Sequence, residues 1–177
     1  MSAAAGSESS DLDEESTRWL DVDQQRAWRA LVMGHTLLID RLDGDLRELH
    51  GISLVEYEIL VRLSERDGRL RMAALADALA HSRSRVTHTI DRMEKAGLVA
   101  RSRLDDDKRG IVAELTPRGR ALLERAAHDH VAGVRAYLVD LADPADFTAA
   151  GRVFDLVADH LISGHPEMEI RDRGERG

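Results

Sequence analysis

A long run of apolar residues at helical spacing constrains the fold of this chain most strongly. Between residues 17 and 50, apolar side chains and one histidine recur at mostly three- and four-residue intervals. These residues are Leu20, Trp28, Leu31, Val32, His35, Leu38, Ile39, Leu42, Leu46 and Leu49. Side chains three and four positions apart lie on the same face of an α-helix. The pattern therefore predicts a long amphipathic helix, for which Gly51 is a suitable end.

Capping patterns predict where the shorter helices begin. The patterns are Ser53 with Glu56, Ser82, Thr116 with Pro117, and Asp143 with Pro144. Each supplies a side-chain oxygen that can accept hydrogen bonds from the free amides of a first helical turn. Together with apolar spacing and Ala/Leu content, they predict helices over residues 54–63, 72–80, 82–95, 117–141 and 145–162.

Two short runs of strand-forming residues, 98–103 and 111–115, flank a polar loop over residues 104–110. That arrangement is typical of a β-hairpin, and residues 69–71 could form a further, very short strand. The element order is then helix, helix, short helix, helix, hairpin, helix, helix. This order predicts a mostly α-helical protein with one small two-stranded β-wing.

The charge of the chain is unevenly distributed. The net charge is −8, which by itself argues against a nucleic-acid partner. Residues 69–109, however, carry ten basic and six acidic residues, a local charge of +4, whereas residues 1–24 carry −6. The basic segment coincides with the two central helices and the hairpin, so the overall charge does not exclude DNA.

The two helices within residues 72–95 are separated by a turn of three or four residues, as in a helix-turn-helix. On the second helix, Val86, Ile90 and Met93 face a core, while the opposite side is rich in hydroxyl and basic groups. We predict these DNA contacts: Ser82, Arg83, Ser84, Arg85, Thr87, His88, Arg92 and Lys95. Phosphate would repel Asp91 on this face, so we expect an ion pair between Asp91 and an Arg or Lys of the same chain.

Residues 91–99, DRMEKAGLV, followed by residues 107–117, DKRGIVAELTP, strongly resemble the MarR family of winged helix-turn-helix repressors. The resemblance implies a homodimeric, cytoplasmic transcriptional repressor that binds a pseudo-palindromic DNA operator. It places the second motif helix in the major groove and Arg109, oriented by Asp107, in the minor groove. Predicted wing contacts are Arg103, Asp107, Lys108 and Arg109.

The predicted organisation has five segments. They are a disordered acidic arm (1–16), an N-terminal dimerisation helix (17–50), a winged helix-turn-helix DNA-binding lobe (51–116), C-terminal dimerisation helices (117–162) and a frayed tail (163–177). Nothing in the chain is apolar enough over 18 residues to span a membrane, and no secretion signal is evident.

An effector site is a second expectation from the resemblance. Small aromatic or anionic ligands bind many family members where the dimer helices meet the DNA-binding lobe, and Trp28, His35 and Arg62 could line such a pocket. Plain packing in a dimer core is an equally good interpretation of Trp28 and His35. We expect no metal, because no two histidines have the i, i+4 spacing of a helical zinc site.

Two other classes of protein compete with a DNA-binding regulator. A winged-helix module that binds only proteins would suit the overall acidity, although the basic helix face argues against it. An enzyme is disfavoured, because the chain lacks cysteine, a Gly-rich phosphate loop and a GxSxG or HExxH motif. No cofactor is expected.

Overall fold

The computed structural model describes residues 17–104 and 107–162, with side chains for all of these except residues 104 and 107–109. The elements are α1 (Val22–His50), α2 (Leu54–Ser64), β1 (Arg69–Arg71), α3 (Met72–Ala78), α4 (Arg83–Lys95), β2 (Val99–Leu104), β3 (Asp107–Leu115), α5 (Pro117–Val134), a π-helical turn (Arg135–Val139) and α6 (Pro144–Ile162). The mostly α-helical fold with a wing is confirmed. The predicted acidic arm and frayed tail lie outside the described residues.

Helix starts follow the capping patterns. At α2, the Ser53 amide donates to Glu56 Oε2 at 2.8 Å and the Glu56 amide donates to Ser53 Oγ at 3.3 Å, which completes the capping box. At α5, the Gly119 amide donates to Thr116 Oγ1 at 3.0 Å, and Pro117 occupies the first turn. These contacts are local in sequence, which explains why the sequence predicted them.

The sheet has three antiparallel strands in the order β1-β3-β2. Strands β2 and β3 form the expected wing, and β1 pairs with the other edge of β3, with Arg69 opposite Glu114. The predicted loop over 104–110 is shorter than expected, because β2 reaches Leu104 and β3 begins at Asp107. Backbone pairing extends the hairpin through polar residues that have little strand propensity of their own.

Helix α5 also differs from its prediction. The sequence predicted one helix to residue 141, but α5 ends at Val134 and continues as the π-helical turn Arg135–Val139. Within this turn the Tyr137 hydroxyl donates to Asp45 on α1 at 2.9 Å, and the Arg41 guanidinium lies 5.2 Å from the ring centroid. These contacts from α1 hold Tyr137 in place.

The chain divides after His35 into two units, and α1 contributes to both. In the unit that begins at Thr36, the core lies between α2, α3, α4, α5, the base of the sheet and the end of α1. The largest of its fully buried side chains are Leu46, Ile59, Leu60, Leu63, Leu75, Val86, Ile90, Met93 and Val99. The predicted core face of α4 is therefore confirmed, and it fixes which side of that helix faces solvent.

Candidate nucleic-acid interface

Helix α4 presents its predicted contact residues to solvent. Its N-cap is Ser82, whose Oγ accepts from the Arg85 amide at 3.3 Å. All eight predicted contacts are exposed: Ser82, Arg83, Ser84, Arg85, Thr87, His88, Arg92 and Lys95. The structure therefore brings these residues together along one helix, while Val86, Ile90 and Met93 anchor the opposite side in the core.

Two threonines on α4 donate to the helix backbone. Thr87 Oγ1 donates to the Arg83 carbonyl at 2.8 Å, and Thr89 Oγ1 donates to the Arg85 carbonyl at 3.0 Å. Thr89 is buried, whereas Thr87 is exposed. Thr87 therefore presents a methyl group and an oxygen lone pair to solvent in this rotamer, rather than a hydrogen-bond donor.

Arg92 on α4 pairs with an acidic residue of α2. Its guanidinium lies 3.4 Å from Oε1 of Glu56, and the other carboxylate oxygen of Glu56 serves the capping box of α2. Half of the Arg92 side chain stays exposed. Because partly exposed ion pairs contribute little to the free energy of folding, Arg92 remains able to exchange Glu56 for a DNA phosphate.

The acidic residues of α4 pair with Arg101 on strand β2. Arg101 Nη1 lies 2.6 Å from Asp91, and its Nη2 and Nε donate to Glu94 Oε2 at 2.6 and 3.0 Å. The Arg101 amide also donates to Glu94 at 3.1 Å. The hydrogen bonds from Arg101 lower the pKa of Glu94 below its usual range. We name Asp91, Glu94 and Arg101 the wing clamp, since they join the recognition helix to the wing.

The ion pair expected for Asp91 is thus present, but Arg101 was not predicted as a site residue. A sequence signal was available: two acids three positions apart at the end of a helix, followed by a basic residue in the next strand. Helix periodicity alone could not pair them, because the contact crosses from helix to strand.

The wing continues away from the clamp along β2 and β3. Arg103 on β2 is exposed, as expected of a contact residue. Asp107, Lys108 and Arg109 lie in the outer part of β3, and their side chains are outside the described set. Their predicted contacts with DNA stay predictions.

A cleft of about 330 Å³ separates helix α4 from the wing. One wall is Arg83 and Thr87 of α4, and the other is Gly110 and Ile111 of β3. The remaining lining residues are Arg71, Met72 and Ala73, where β1 runs into α3. Among the side chains that the structure describes, this lining has two arginines and no acidic residue.

The residues proposed for an effector pocket are divided between the two units of the chain. Trp28, 59% exposed, and His35 belong to the unit that ends at His35, whereas Arg62 on α2 belongs to the other unit. Arg62 forms an ion pair with Glu65 at 3.1 Å. Within the described residues no group of three or more His, Asp or Glu side chains is placed to hold a metal ion.

A two-helix motif with an exposed polar and basic second helix, followed by an antiparallel wing, defines a winged helix-turn-helix protein. Proteins of this class place the second motif helix in the major groove of DNA. None of the helices in the described residues is long and apolar enough to cross a membrane.

Comparison with known proteins agrees with this class. The MarR family model matches residues 52–111. The structure resembles that of AbsC, a MarR family transcriptional regulator from Streptomyces coelicolor, with a TM-score of 0.79. The two sequences are 42% identical, and the match covers 83% of this chain and 99% of AbsC. The structure also resembles Sco3205 from the same organism, a MarR family regulator solved in complex with DNA, with 38% identity, 83% and 92% coverage, and a TM-score of 0.80.

Among curated proteins, the chain is 28% identical over 130 residues to the HTH-type transcriptional regulator PecS of Dickeya dadantii. This match covers 72% of the present chain and 78% of PecS. The chain belongs to the MarR family of transcriptional regulators. AbsC, Sco3205 and PecS are transcriptional regulators, a class of protein that is normally not enzymatic.

Proposed function

We propose that this regulator binds double-stranded DNA as a homodimer and represses transcription from a pseudo-palindromic operator. The observation that carries the proposal is the solvent face of α4, where eight side chains suited to bases or phosphates lie within the basic segment of an acidic chain. Arginine reads guanine edges, and hydroxyl groups bind phosphates or bases. The DNA complex of the related Sco3205 supports the same partner. The regulator would then act in the cytoplasm, where its bacterial relatives meet DNA.

The wing supplies a second contact in this proposal. Arg109, near the outer end of β3, would enter the minor groove next to the major groove that α4 occupies. A narrow minor groove concentrates negative potential, which attracts an inserted guanidinium. Asp107, two residues before it, would orient that guanidinium, while Arg103 and Lys108 would contact phosphates.

Dimerisation would involve α1 and the C-terminal helices, with the lobe over residues 51–116 reading DNA. Two copies related by a two-fold axis would place two α4 helices in half-sites about 10 bp apart. Helix α6 supports this part of the proposal, because it exposes large apolar side chains that a monomer would leave in water. They are Phe147, Val153, Phe154, Leu156, Val157 and Leu161.

A small aromatic or anionic ligand would release the regulator from DNA. The exposed ring of Trp28 is the feature that favours it. A ligand screen on the protein–DNA complex tests this part, since an effector must lower DNA affinity and a ligand bound equally by both states must not.

The decisive experiment is selection of bound duplexes from a random pool, followed by anisotropy titration. Arg109→Ala should weaken binding by about tenfold or more, because charge-assisted hydrogen bonds contribute about 1.5–3 kcal/mol. Arg85→Ala should reduce discrimination between the selected and random duplexes, because one bidentate base contact contributes about 1–3 kcal/mol. Failure to enrich any DNA would instead favour the protein-interaction module.

A further inference from the structure

Thr87 on helix α4 is exposed, yet its hydroxyl hydrogen is bound within the helix. Thr87 Oγ1 donates to the Arg83 carbonyl at 2.8 Å. A hydroxyl group has a single hydrogen, so this bond leaves Thr87 no proton to donate outside the helix. The oxygen and the methyl group of a threonine turn together about one torsion, χ1. The bond that holds Oγ1 therefore also fixes the direction of the γ-methyl group.

This methyl group is unusual for its position on the surface of α4. The other methyl-bearing residues of the helix are buried, and they are Val86, Thr89, Ile90 and Met93. Thr89 donates to the helix backbone as Thr87 does, but it is only 4% exposed. Thr87 is thus the one residue of α4 that presents a methyl group to solvent, on a face that is otherwise polar and basic.

We propose that Thr87 recognises the C5-methyl group of one thymine in each half-site of the operator. The inference rests on the proposed function and deepens it, because it assigns a base to one residue of the helix. Residues near the start of a recognition helix contact base edges in the major groove, and Thr87 lies one turn after Arg83, where α4 begins. In that groove thymine alone carries a methyl group, and a threonine methyl is among the apolar groups that contact it.

The hydrogen bond to Arg83 also limits what the hydroxyl group can select. Without a hydrogen to give, Thr87 cannot donate to N7 or O6 of guanine, to N7 of adenine or to O4 of thymine. Its free lone pair can accept only from the amino group of cytosine or adenine. The geometry therefore leaves two choices, thymine through the methyl group or an amino base through the oxygen. The bond draws Oγ1 towards the helix backbone, which favours the methyl group.

The next turn of the same helix face does not oppose a thymine. Asp91 lies four residues after Thr87, and an unpaired carboxylate there would repel O4 of the base and the neighbouring phosphates. Arg101 Nη1 lies 2.6 Å from the Asp91 carboxylate, so this negative charge is paired within the protein. The wing clamp thus keeps the surroundings of Thr87 compatible with an uncharged base edge.

The first test replaces thymines by deoxyuridine, one position at a time, in one half-site of a duplex selected by the wild-type protein. Deoxyuridine lacks only the C5-methyl group and keeps every polar group of thymine. At one position the replacement should weaken wild-type binding about fourfold, since burial of one aliphatic carbon group contributes about 0.8 kcal/mol. In a duplex with a C·G pair at that position, 5-methylcytosine should bind about fourfold more tightly than cytosine.

The second test changes the protein. Thr87→Ser keeps the hydroxyl group and removes the methyl group, so this variant should bind the thymine and deoxyuridine duplexes equally. Thr87→Val keeps a methyl group and removes the hydroxyl group, so it should keep the fourfold preference for thymine. Thr89→Ser is the matched control, because it removes a methyl group from the buried threonine of the same helix and should keep the wild-type profile.

The outcomes separate this inference from the proposed function. If the wild type selects duplexes but no deoxyuridine position weakens binding, or if Thr87→Ser keeps the preference for thymine, the methyl contact is contradicted while DNA binding stands. Loss of the preference in Thr87→Val also contradicts it, because the methyl group is then not sufficient. Selection of no duplex overturns both inferences. Circular dichroism and melting temperature show whether each variant is folded, and Thr87→Ala, which also lacks the γ-methyl group, replaces a misfolded Thr87→Ser.

Discussion

At the scale of single residues, the contact between the start of α5 and the base of the wing leaves no room for a side chain at Gly119. A Cβ atom there would overlap the Leu98 carbonyl oxygen and lie 2.9 Å from a Leu115 methyl. The same region holds Thr116, whose Oγ1 donates to the carbonyls of Gly97 and Leu98 and accepts from the Gly119 amide. Gly119 thus allows the start of α5 to pack against Leu98 and Leu115 at the base of the wing.

We predict that Gly119→Ala lowers the free energy of unfolding by about 1–3 kcal/mol, as overpacking of a filled site does. Gly44→Ala is the control, because Gly44 is inside helix α1 and a Cβ there would meet nothing within 4 Å. It should raise the free energy of unfolding by about 0.5–1 kcal/mol, through helix propensity. Urea titration of both variants measures the difference, and equal effects would contradict the packing argument.

His130 on α5 is a partly buried residue, although its neighbours His128 and Asp129 are exposed. Its ring stacks at a tilt on Tyr57 with 4.5 Å between centroids, and its buried Nδ1 has no hydrogen-bond partner in the described part of the chain. Asp45 and the His50–Asp129 pair line the small cavity beside it. Burial lowers the pKa of His130 below its ordinary value.

This lowered pKa predicts loss of stability in acid. The unfolded chain takes up a proton at His130 as pH falls below about 6.5, whereas the folded chain resists it until a lower pH. Stability should therefore be highest above that range and decline as pH falls through it. His130→Phe should reduce the decline in melting temperature between pH 7 and 5, and His128→Gln, an exposed neighbour on α5, should not.

At the scale of elements, the wing clamp decides how the wing is held against α4. Arg101 binds two carboxylates of that helix, so these ion pairs join strand β2 to helix α4. A wing that is already oriented loses less conformational freedom on binding DNA. Arg101 is therefore a positioning residue, because its own charge is occupied by Asp91 and Glu94.

We predict that Arg101→Met weakens DNA binding about fivefold through lost preorganisation, with little change in the salt slope. The double variant Arg101→Met/Arg109→Ala should lose less DNA-binding free energy than the sum of the two single variants, since both changes act through the wing. Full additivity would contradict the positioning role. Arg69→Met is the matched control, because Arg69 is also paired on the sheet, with Glu114 at 3.4 Å, but lies on β1.

The clamp also has a pH dependence with a defined sign. Because the pKa of Glu94 is lowered in the folded state, its stabilising contribution is present above the ordinary pKa of a glutamate. The contribution is lost as pH falls through the lowered value. The acid loss of stability should therefore be smaller in Arg101→Met than in wild type, as thermal unfolding at pH 3–6 would measure.

The elements themselves were largely predictable from sequence, and their boundaries less so. Caps at Ser53, Ser82 and Thr116 act within four residues, so local chemistry suffices to place the helix starts. The π-helical turn that follows α5 contains Tyr137, which donates a hydrogen bond to Asp45, far away in the chain. The wing clamp and the cleft likewise join residues of different elements, which periodicity cannot pair.

At the scale of the whole molecule, α6 leaves large apolar side chains in solvent. Phe154, 49% exposed, and Phe147 lie seven positions apart and therefore on one face of the helix. We predict that Phe154→Asp shifts the protein from dimer to monomer at micromolar concentration, because it places a charge in the proposed interface. Sedimentation analysis measures this, with Phe154→Leu as the conservative control. An unchanged dimer would exclude this face.

The charge distribution is also a property of the whole chain. A net charge of −8 coexists with a +4 segment over residues 69–109, which folds into the helix-turn-helix and the wing. The acidic remainder disfavours contact between DNA and the rest of the surface. The net charge of the whole chain therefore argues wrongly against a DNA partner, whereas the distribution of charge along the chain is compatible with one.

The helical elements, the two-helix motif, the exposed face of α4 and the resemblance to a family could all be predicted from the order of residues, because apolar periodicity and capping depend on near neighbours in the chain. Three arrangements became visible in the folded chain alone: β1 pairs with the sheet, Arg101 binds the acids of α4, and Arg71, Arg83 and Ile111 line one cleft. Those arrangements depend on the packing of separate elements, whose geometry no local pattern specifies.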